Sequence, residues 1–176
     1  MKRLLLLRHA RAAPGGGQDD FDRALTSSGG ADAGRMGDYL VSQGLTPDIV
    51  VFSGARRTRE TAEIVIGRLG RAVEAQEENA VYEATRHLIL ALLRQIPDNV
   101  SSVLLVGHNP GMSEVANLLV GKGDKQARQR LSAKYPTCGL AVIEFDGSSW
   151  TNLAAHAARL ETFVTPADLG LPQKAE

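Results

Sequence analysis

The sequence lacks a second cysteine. Cys138 is the one thiol in 176 residues, so no internal disulfide can brace the fold, and a reducing compartment is the simplest setting. No local cysteine-enzyme motif surrounds Cys138, so a small packed thiol is expected there rather than a nucleophile. An excess of either charge is also missing. Twenty Lys and Arg balance twenty Asp and Glu, for a formal net charge of zero at pH 7. That balance argues against a general nucleic-acid binder, whose affinity rests on net positive charge, while leaving room for a local basic pocket. No apolar run approaches the ~20 residues of a membrane helix. The opening Met-Lys-Arg-Leu-Leu-Leu-Leu imitates a signal peptide only briefly, because Arg8 interrupts it. A cytoplasmic protein without a membrane partner is expected.

What is present is a globular composition, with 43% hydrophobic and 23% charged residues. The length suits one ordinary domain, expected over residues 1–165 with a surface-wrapping or fraying tail over 166–176. Arg3–Leu7, Ile49–Phe52 and Ser102–Val106 are continuous apolar runs of strand length, the pattern of strands buried on both faces. Between them lie helical spacings at Ala31–Gln43, Thr58–Leu69 and Thr85–Arg94. Asn109-Pro110 then opens a helix running through Val120. Gly121–Lys134 is a polar insert, expected as loop with some helix. Leu140–Phe145 and Thr151–Ala155 read as a strand pair around an Asp146-Gly147 turn. The alternation predicts a three-layer α/β/α sandwich on a mostly parallel sheet.

Ligands of open α/β sheets bind outside the carboxyl ends of the strands. Arg8-His9 follows the first apolar run. Ser53-Gly54-Ala55-Arg56-Arg57 follows the second, and Gly107-His108-Asn109 the third. Three strands therefore deliver arginines and histidines to one edge. The guanidinium fork matches phosphate oxygens and keeps its charge at every relevant pH. A helix starting near Thr58 would add amide donors and the positive end of its dipole. Arg8, Arg57, His108 and Asn109 are candidate substrate contacts, and Arg11 is a candidate for the rim or for a solvated role. His9 has two readings. It is either a structural histidine bonded to a nearby carbonyl or a nucleophile toward phosphorus, kept unprotonated by the charge of Arg8. His87 and His156 lack this company.

Rival motifs fail on their spacing. Gly15-Gly16-Gly17 is followed by Asp20 where a dinucleotide loop needs its last glycine, and "GKGDK" is not a phosphate loop. Asp19-Asp20-Phe21-Asp22 is a solvated cluster more readily than a metal site. No HExxH or cysteine pair completes a zinc site. No metal and no cofactor are expected.

The "LLRHA" junction, "SGARRTRETA" and "VGHNPG", with "LTSSG" between the first two, together resemble the histidine phosphatase superfamily, the phosphoglycerate mutase-like fold. The short chain and "GHNPG" are similar to its SixA branch of small phosphohistidine phosphatases. Ala10 stands where the family usually has glycine, and Gly54 where it usually has proline. The resemblance implies that His9 is the phosphorylated nucleophile, that Arg8 and Arg57 clamp the phosphoryl oxygens and that His108 completes the pocket. It makes Glu83, in "VYEATRHL", the candidate proton donor; pairing with Arg86 on the next helix is the alternative. The implied activity is a metal-independent phosphatase acting on phosphohistidine in a protein. The alternatives are a small phosphoester as substrate, a mutase, or a phosphate-binding protein without turnover. Oligomeric state is not legible.

Overall fold

The computed structural model describes residues 1–170. Its centre is β1 (Lys2–Arg8), flanked by β4 (Ser102–Gly107) and β6 (Leu140–Phe145). The whole sheet has seven strands in the order β3-β2-β4-β1-β6-β7-β5, with β2 at Ile49–Phe52, β3 at Glu74–Glu77, β5 at Val120–Gly123 and β7 at Ala158–Val164. The β3-β2, β2-β4, β4-β1 and β7-β5 pairs are parallel; β1-β6 and β6-β7 are antiparallel. The mostly parallel α/β sheet is thus as the apolar runs predict.

The central position explains the composition of β1. Successive strand residues point to opposite faces. Leu4 and Leu6 enter a core built with α3 (Arg86–Leu93) and α4 (Gly111–Leu119), while Leu5 and Leu7 enter one built with α1 (Ser27–Ser42) and α2 (Arg56–Arg68). All four are completely buried. A strand covered on both sides has no solvent face to mark with polar residues.

Helix α1 starts at Ser27, four residues before the predicted start. Thr26 caps it by accepting from the Gly29 amide at 3.0 Å. Gly29 and Gly30 hide this first turn from a propensity-based reading. Gly37 has a packing reason, because a Cβ there would stand 2.8 Å from the Arg68 Cβ of α2. Helix α2 likewise starts before Thr58, at Arg56, and α4 stops at Leu119.

Three expectations need correction. Thr151–Ala155 is not a strand. Trp150–Asn152 is a one-turn 3-10 helix, and the partner of β6 is Ala158–Val164. Trp150 is buried against Phe145 at 5.5 Å and donates to the Val100 carbonyl, which turns this stretch into a corner beneath the sheet. Glu74–Glu77, where no strand is predicted, is an edge strand whose four residues are all exposed, so it carries no apolar signal. The polar insert contains edge strand β5 and a full helix, α5 (Lys125–Ala133), capped by Asp124 on the Ala127 amide at 2.8 Å. Of the predicted tail, Pro166–Leu169 forms a 3-10 turn, with Asp168 bonded to the Thr165 amide and paired with Arg130; residues 171–176 lie outside the described residues. Among the described residues no helix is long and apolar enough to cross a membrane.

Leu5 sits between Leu104 of β4 and Val142 of β6 in the middle of the sheet. Leu5→Ala is expected to cost about 2–5 kcal/mol in urea unfolding, the range for a large apolar side chain lost from a packed core. A loss below about 1 kcal/mol would contradict the central placement of β1.

Candidate active site

The carboxyl end of β1 is held from both sides. The His9 amide donates to the Gly107 carbonyl at 3.0 Å and the Arg8 amide to the Gly139 carbonyl at 3.1 Å. The Cys138 amide returns to the carbonyls of Arg8 and His9 at 3.1 and 3.0 Å. The chain then meets α2, where the Ala10 amide donates to Thr61 Oγ1 at 3.0 Å and that hydroxyl donates to the Arg57 carbonyl at 2.7 Å. The Arg8-His9 pair is therefore fixed by backbone bonds to β4, to the start of β6 and to the first turns of α2. The Ala10 methyl is wholly buried in the core shared with Leu5 and Leu7.

His9 is buried, and its Nδ1 lies 2.7 Å from the Ala10 carbonyl. A carbonyl only accepts, so the neutral ring carries its proton on Nδ1 and keeps the Nε2 lone pair. The His108 ring lies 5.3 Å from that of His9, centroid to centroid. Arg57, in the first turn of α2, is also buried, with Nη1 and Nη2 donating to the backbone carbonyl and carboxylate of Asp20 at 2.7 and 3.1 Å. Arg8 Nη1 donates to the Tyr135 carbonyl at 3.0 Å. Arg8 Nε, Arg57 Nε and His108 Nδ1 are buried and have no hydrogen-bond partner among the described residues. Buried polar nitrogens are normally paired. Three such nitrogens without a protein partner, from three different strand ends, belong to the residues grouped around His9.

The electrostatics agree with this geometry. Burial, helped by His108, Arg57 and Arg8, pushes His9 down to about 3, against the opposing bond to the Ala10 carbonyl. Burial and then Arg57 lower His108 to about 4, with Asp20 pulling the other way. Burial and the neighbouring Arg57 lower Arg8 from its ordinary value. Both imidazoles are thus neutral in the pH range of ordinary enzyme action, one as a lone-pair donor.

Arg8, His9, Arg57 and His108 come together as the strand-end pattern predicts. The other candidates stand differently. Asn109 spends its side chain on structure, donating to the Tyr135 carbonyl at 2.9 Å and capping α4 through the Ser113 amide at 3.2 Å. Arg11 is exposed, and its charge acts on Asp32 of α1. Glu83 is exposed at a φ of 56°, with no hydrogen bond or ion pair to Arg86 or to the histidines among the described residues. Its charge reaches Tyr82, its neighbour. His87 is exposed on α3, and His156 is exposed in the turn before β7.

Sequence reading missed Asp20, Tyr82 and Ser53. Asp20 is no free member of an acidic loop. Its carboxylate accepts from Tyr82 Oη at 2.7 Å, from Arg57 and from Arg23, and these bonds hold it down at about 2. Tyr82 is pushed up to about 12, first by that bond to Asp20. Its ring packs edge-on against Phe21 at 5.0 Å and His108 at 5.3 Å. The one available signal was Phe21, an aromatic inside an acidic run that needed a surface to cover. Gly54, where proline was the expected residue, is explained by Asn79 and Glu77, whose side-chain oxygens occupy the space a Cβ would need. Among the described residues no three His, Cys, Asp or Glu side chains are grouped so as to hold a metal ion.

The family model of the histidine phosphatase superfamily (branch 1) matches residues 4–86. The candidate phosphohistidine phosphatase SixA of Agrobacterium tumefaciens is 31% identical, covers 94% of this chain and 98% of its own, and superposes with a TM-score of 0.80. That of Nakamurella multipartitia is 30% identical, with 94% and 96% covered and a TM-score of 0.81. An uncharacterised protein of Mycobacterium leprae is 33% identical over 165 residues, which span 91% of this chain and 99% of the relative.

The depressed values of the two imidazoles have a visible consequence. Ring resonances of His9 and His108 are expected to keep their neutral-form shifts as pH falls from about 8 to about 5. A midpoint near the ordinary histidine value of about 6.5 for either ring would contradict the burial described. The sign for stability follows. The unfolded chain takes up protons on these rings below about 6.5 while the folded one does not, so their contribution to folding is full above that pH. It falls away as pH drops toward the folded values of about 3 and 4.

Proposed function

The chain belongs to the histidine phosphatase superfamily, and we propose that it is a phosphatase whose nucleophile is His9 and whose substrate is phosphohistidine carried by a protein. The observation that supports this most is the trio of unpaired buried nitrogens, Arg8 Nε, Arg57 Nε and His108 Nδ1, beside a histidine whose other ring nitrogen is committed to the Ala10 carbonyl.

The reaction has two steps. His9 Nε2 gives its lone pair to phosphorus, and the bond from phosphorus to the leaving group breaks as the Nε2–P bond forms. The developing charge on the equatorial oxygens is met by Arg8, Arg57 and His108. A water oxygen then attacks phosphorus from the vacated side. The Nε2–P bond breaks, phosphate leaves, and His9 recovers its lone pair. The positive charge these steps need comes from the guanidiniums. In this reading no metal takes part, and a phosphate group entering the pocket competes with Asp20 for Arg57.

The leaving group favours a nitrogen ester. An alkoxide is a strong base and needs a proton from an acid in the site. An imidazole whose second ring nitrogen carries a proton, as a ring with a pKa of about 6.5 does in part near neutral pH, departs as the neutral base and keeps that proton, so it leaves without such help. Among the described residues Glu83 has no hydrogen bond or ion pair with the two histidines, and the Tyr82 proton is held by Asp20. The SixA proteins of Agrobacterium and Nakamurella, candidate phosphohistidine phosphatases, point to the same substrate class.

His9→Ala is expected to lose on the order of a thousandfold or more in turnover, both on a phosphohistidine peptide and on an aryl phosphate. Undiminished turnover on both would overturn the nucleophile assignment. Wild-type protein is expected to keep full activity in EDTA. Loss of activity restored by added zinc would instead favour a metallohydrolase, and phosphate binding without any turnover would favour a sensor.

A further inference from the structure

Ser53 follows the last residue of β2 and is completely buried. Its amide donates to the Val106 carbonyl at 3.2 Å, which ties it to β4 just before His108. Its hydroxyl lies 2.8 Å from His108 Nε2 and accepts from the Ala55 amide at 3.3 Å. A serine hydroxyl has one proton and two lone pairs. The Ala55 N–H takes one lone pair, so the proton still needs an acceptor. Among the described residues His108 Nε2 is the one atom placed to accept it.

The opposite assignment fails on two counts. If His108 carried its proton on Nε2, that N–H would donate to Ser53 Oγ and leave the serine proton buried with no acceptor. It would also leave a bare lone pair on the buried, unpaired Nδ1, which in the proposed mechanism would repel phosphoryl oxygens. Nδ1 is the atom that the protein leaves buried and unpaired. With the proton on Nδ1, both faults disappear and the site gains a third N–H donor beside Arg8 and Arg57.

We infer that Ser53 is a positioning residue that holds neutral His108 in its Nδ1–H form, so that His108 donates a hydrogen bond to the transferring phosphoryl group. The inference rests on the phosphatase reading above for its purpose, but not for its geometry. The two active-site histidines then share one tautomer for opposite uses. The Ala10 carbonyl fixes the proton of His9 on Nδ1 and frees Nε2 to attack. The Ser53 hydroxyl occupies Nε2 of His108 and frees Nδ1–H to donate. The burial that keeps His108 neutral down to about 4 leaves tautomer choice, rather than charge, as the variable that Ser53 controls.

The test is long-range proton–nitrogen NMR of the full-length, nitrogen-15-labelled protein near neutral pH, with His108 identified by the peaks lost in His108→Asn. The wild type is expected to show His108 Nδ1 as a protonated, pyrrole-type nitrogen and Nε2 as a pyridine-type one. The reverse pattern overturns the inference with no variant needed. Ser53→Ala is expected to move His108 toward the Nε2–H form and to lower kcat by about tenfold to a hundredfold. Ser53→Thr, which keeps the hydroxyl, is expected to retain the wild-type ring pattern and most of the rate. An unchanged ring pattern in folded Ser53→Ala contradicts the inference, even if activity falls. The ring spectrum does not depend on turnover. If the His9→Ala protein stays active, the phosphatase mechanism fails while the tautomer result still stands or falls by itself.

Discussion

Two guanidiniums and two imidazoles share one desolvated pocket, and the rest of the structure exists to make that tolerable. Arg8 and Arg57 are close enough for the charge of one to weaken the proton affinity of the other. Removing like charges from water together is costly unless each is met by hydrogen bonds. Here the compensation is deliberately incomplete. Asp20 meets two nitrogens of Arg57 with its carbonyl and carboxylate, and the Tyr135 carbonyl meets one of Arg8. The Nε atoms of both arginines are left over. In the proposed mechanism these are the nitrogens left for an incoming phosphoryl group to meet.

That arrangement needs a rigid mount. β1 is the central strand, and its four leucines alternate between two separate cores, so neither face of the sheet can move without disturbing packing. The chain leaving β1 is then gripped by Gly107 on one side and by Cys138 and Gly139 on the other. Arg57 is set by α2, which touches the same segment through Thr61, and His108 is set by β4 and Ser53. The four groups thus arrive from three strand ends, Arg8 and His9 from the same one, and are oriented by hydrogen bonds to backbone carbonyls, to the Ser53 hydroxyl and to the Asp20 carboxylate. The pocket is an outcome of sheet register more than of loop conformation.

Legibility in the sequence follows this division. The three buried strands announce themselves as continuous apolar runs, and the polar residues that end them abruptly are the ones at the site: Arg8, His9, Arg57 and His108. Edge strands leave no such mark. Glu74–Glu77 exposes every residue, so its place in the sheet depends on pairing with β2 and on nothing local. The residues that tune the site were hidden for a related reason. Asp20 meets Arg57 across 37 positions, Tyr82 meets Asp20 across 62, and Ser53 meets His108 across 55. None of these pairs has a spacing that a helix or strand period would reveal. Asn109 shows the converse. Beside His108 it resembles a substrate contact in sequence, while its side-chain amide holds the Tyr135 carbonyl and the first turn of α4.

In the proposed mechanism phosphorus passes through His9 Nε2. Rapid quenching of the wild-type protein during turnover of a phosphohistidine peptide, under alkaline conditions that preserve phosphoramidates, followed by peptide mapping in a mass spectrometer, tests it most directly. A transient phosphoryl group on His9 and nowhere else, formed and discharged as fast as the protein turns over, is the expected result. Steady release of phosphate with no protein-bound phosphoryl group, or with the label on another residue, would contradict it.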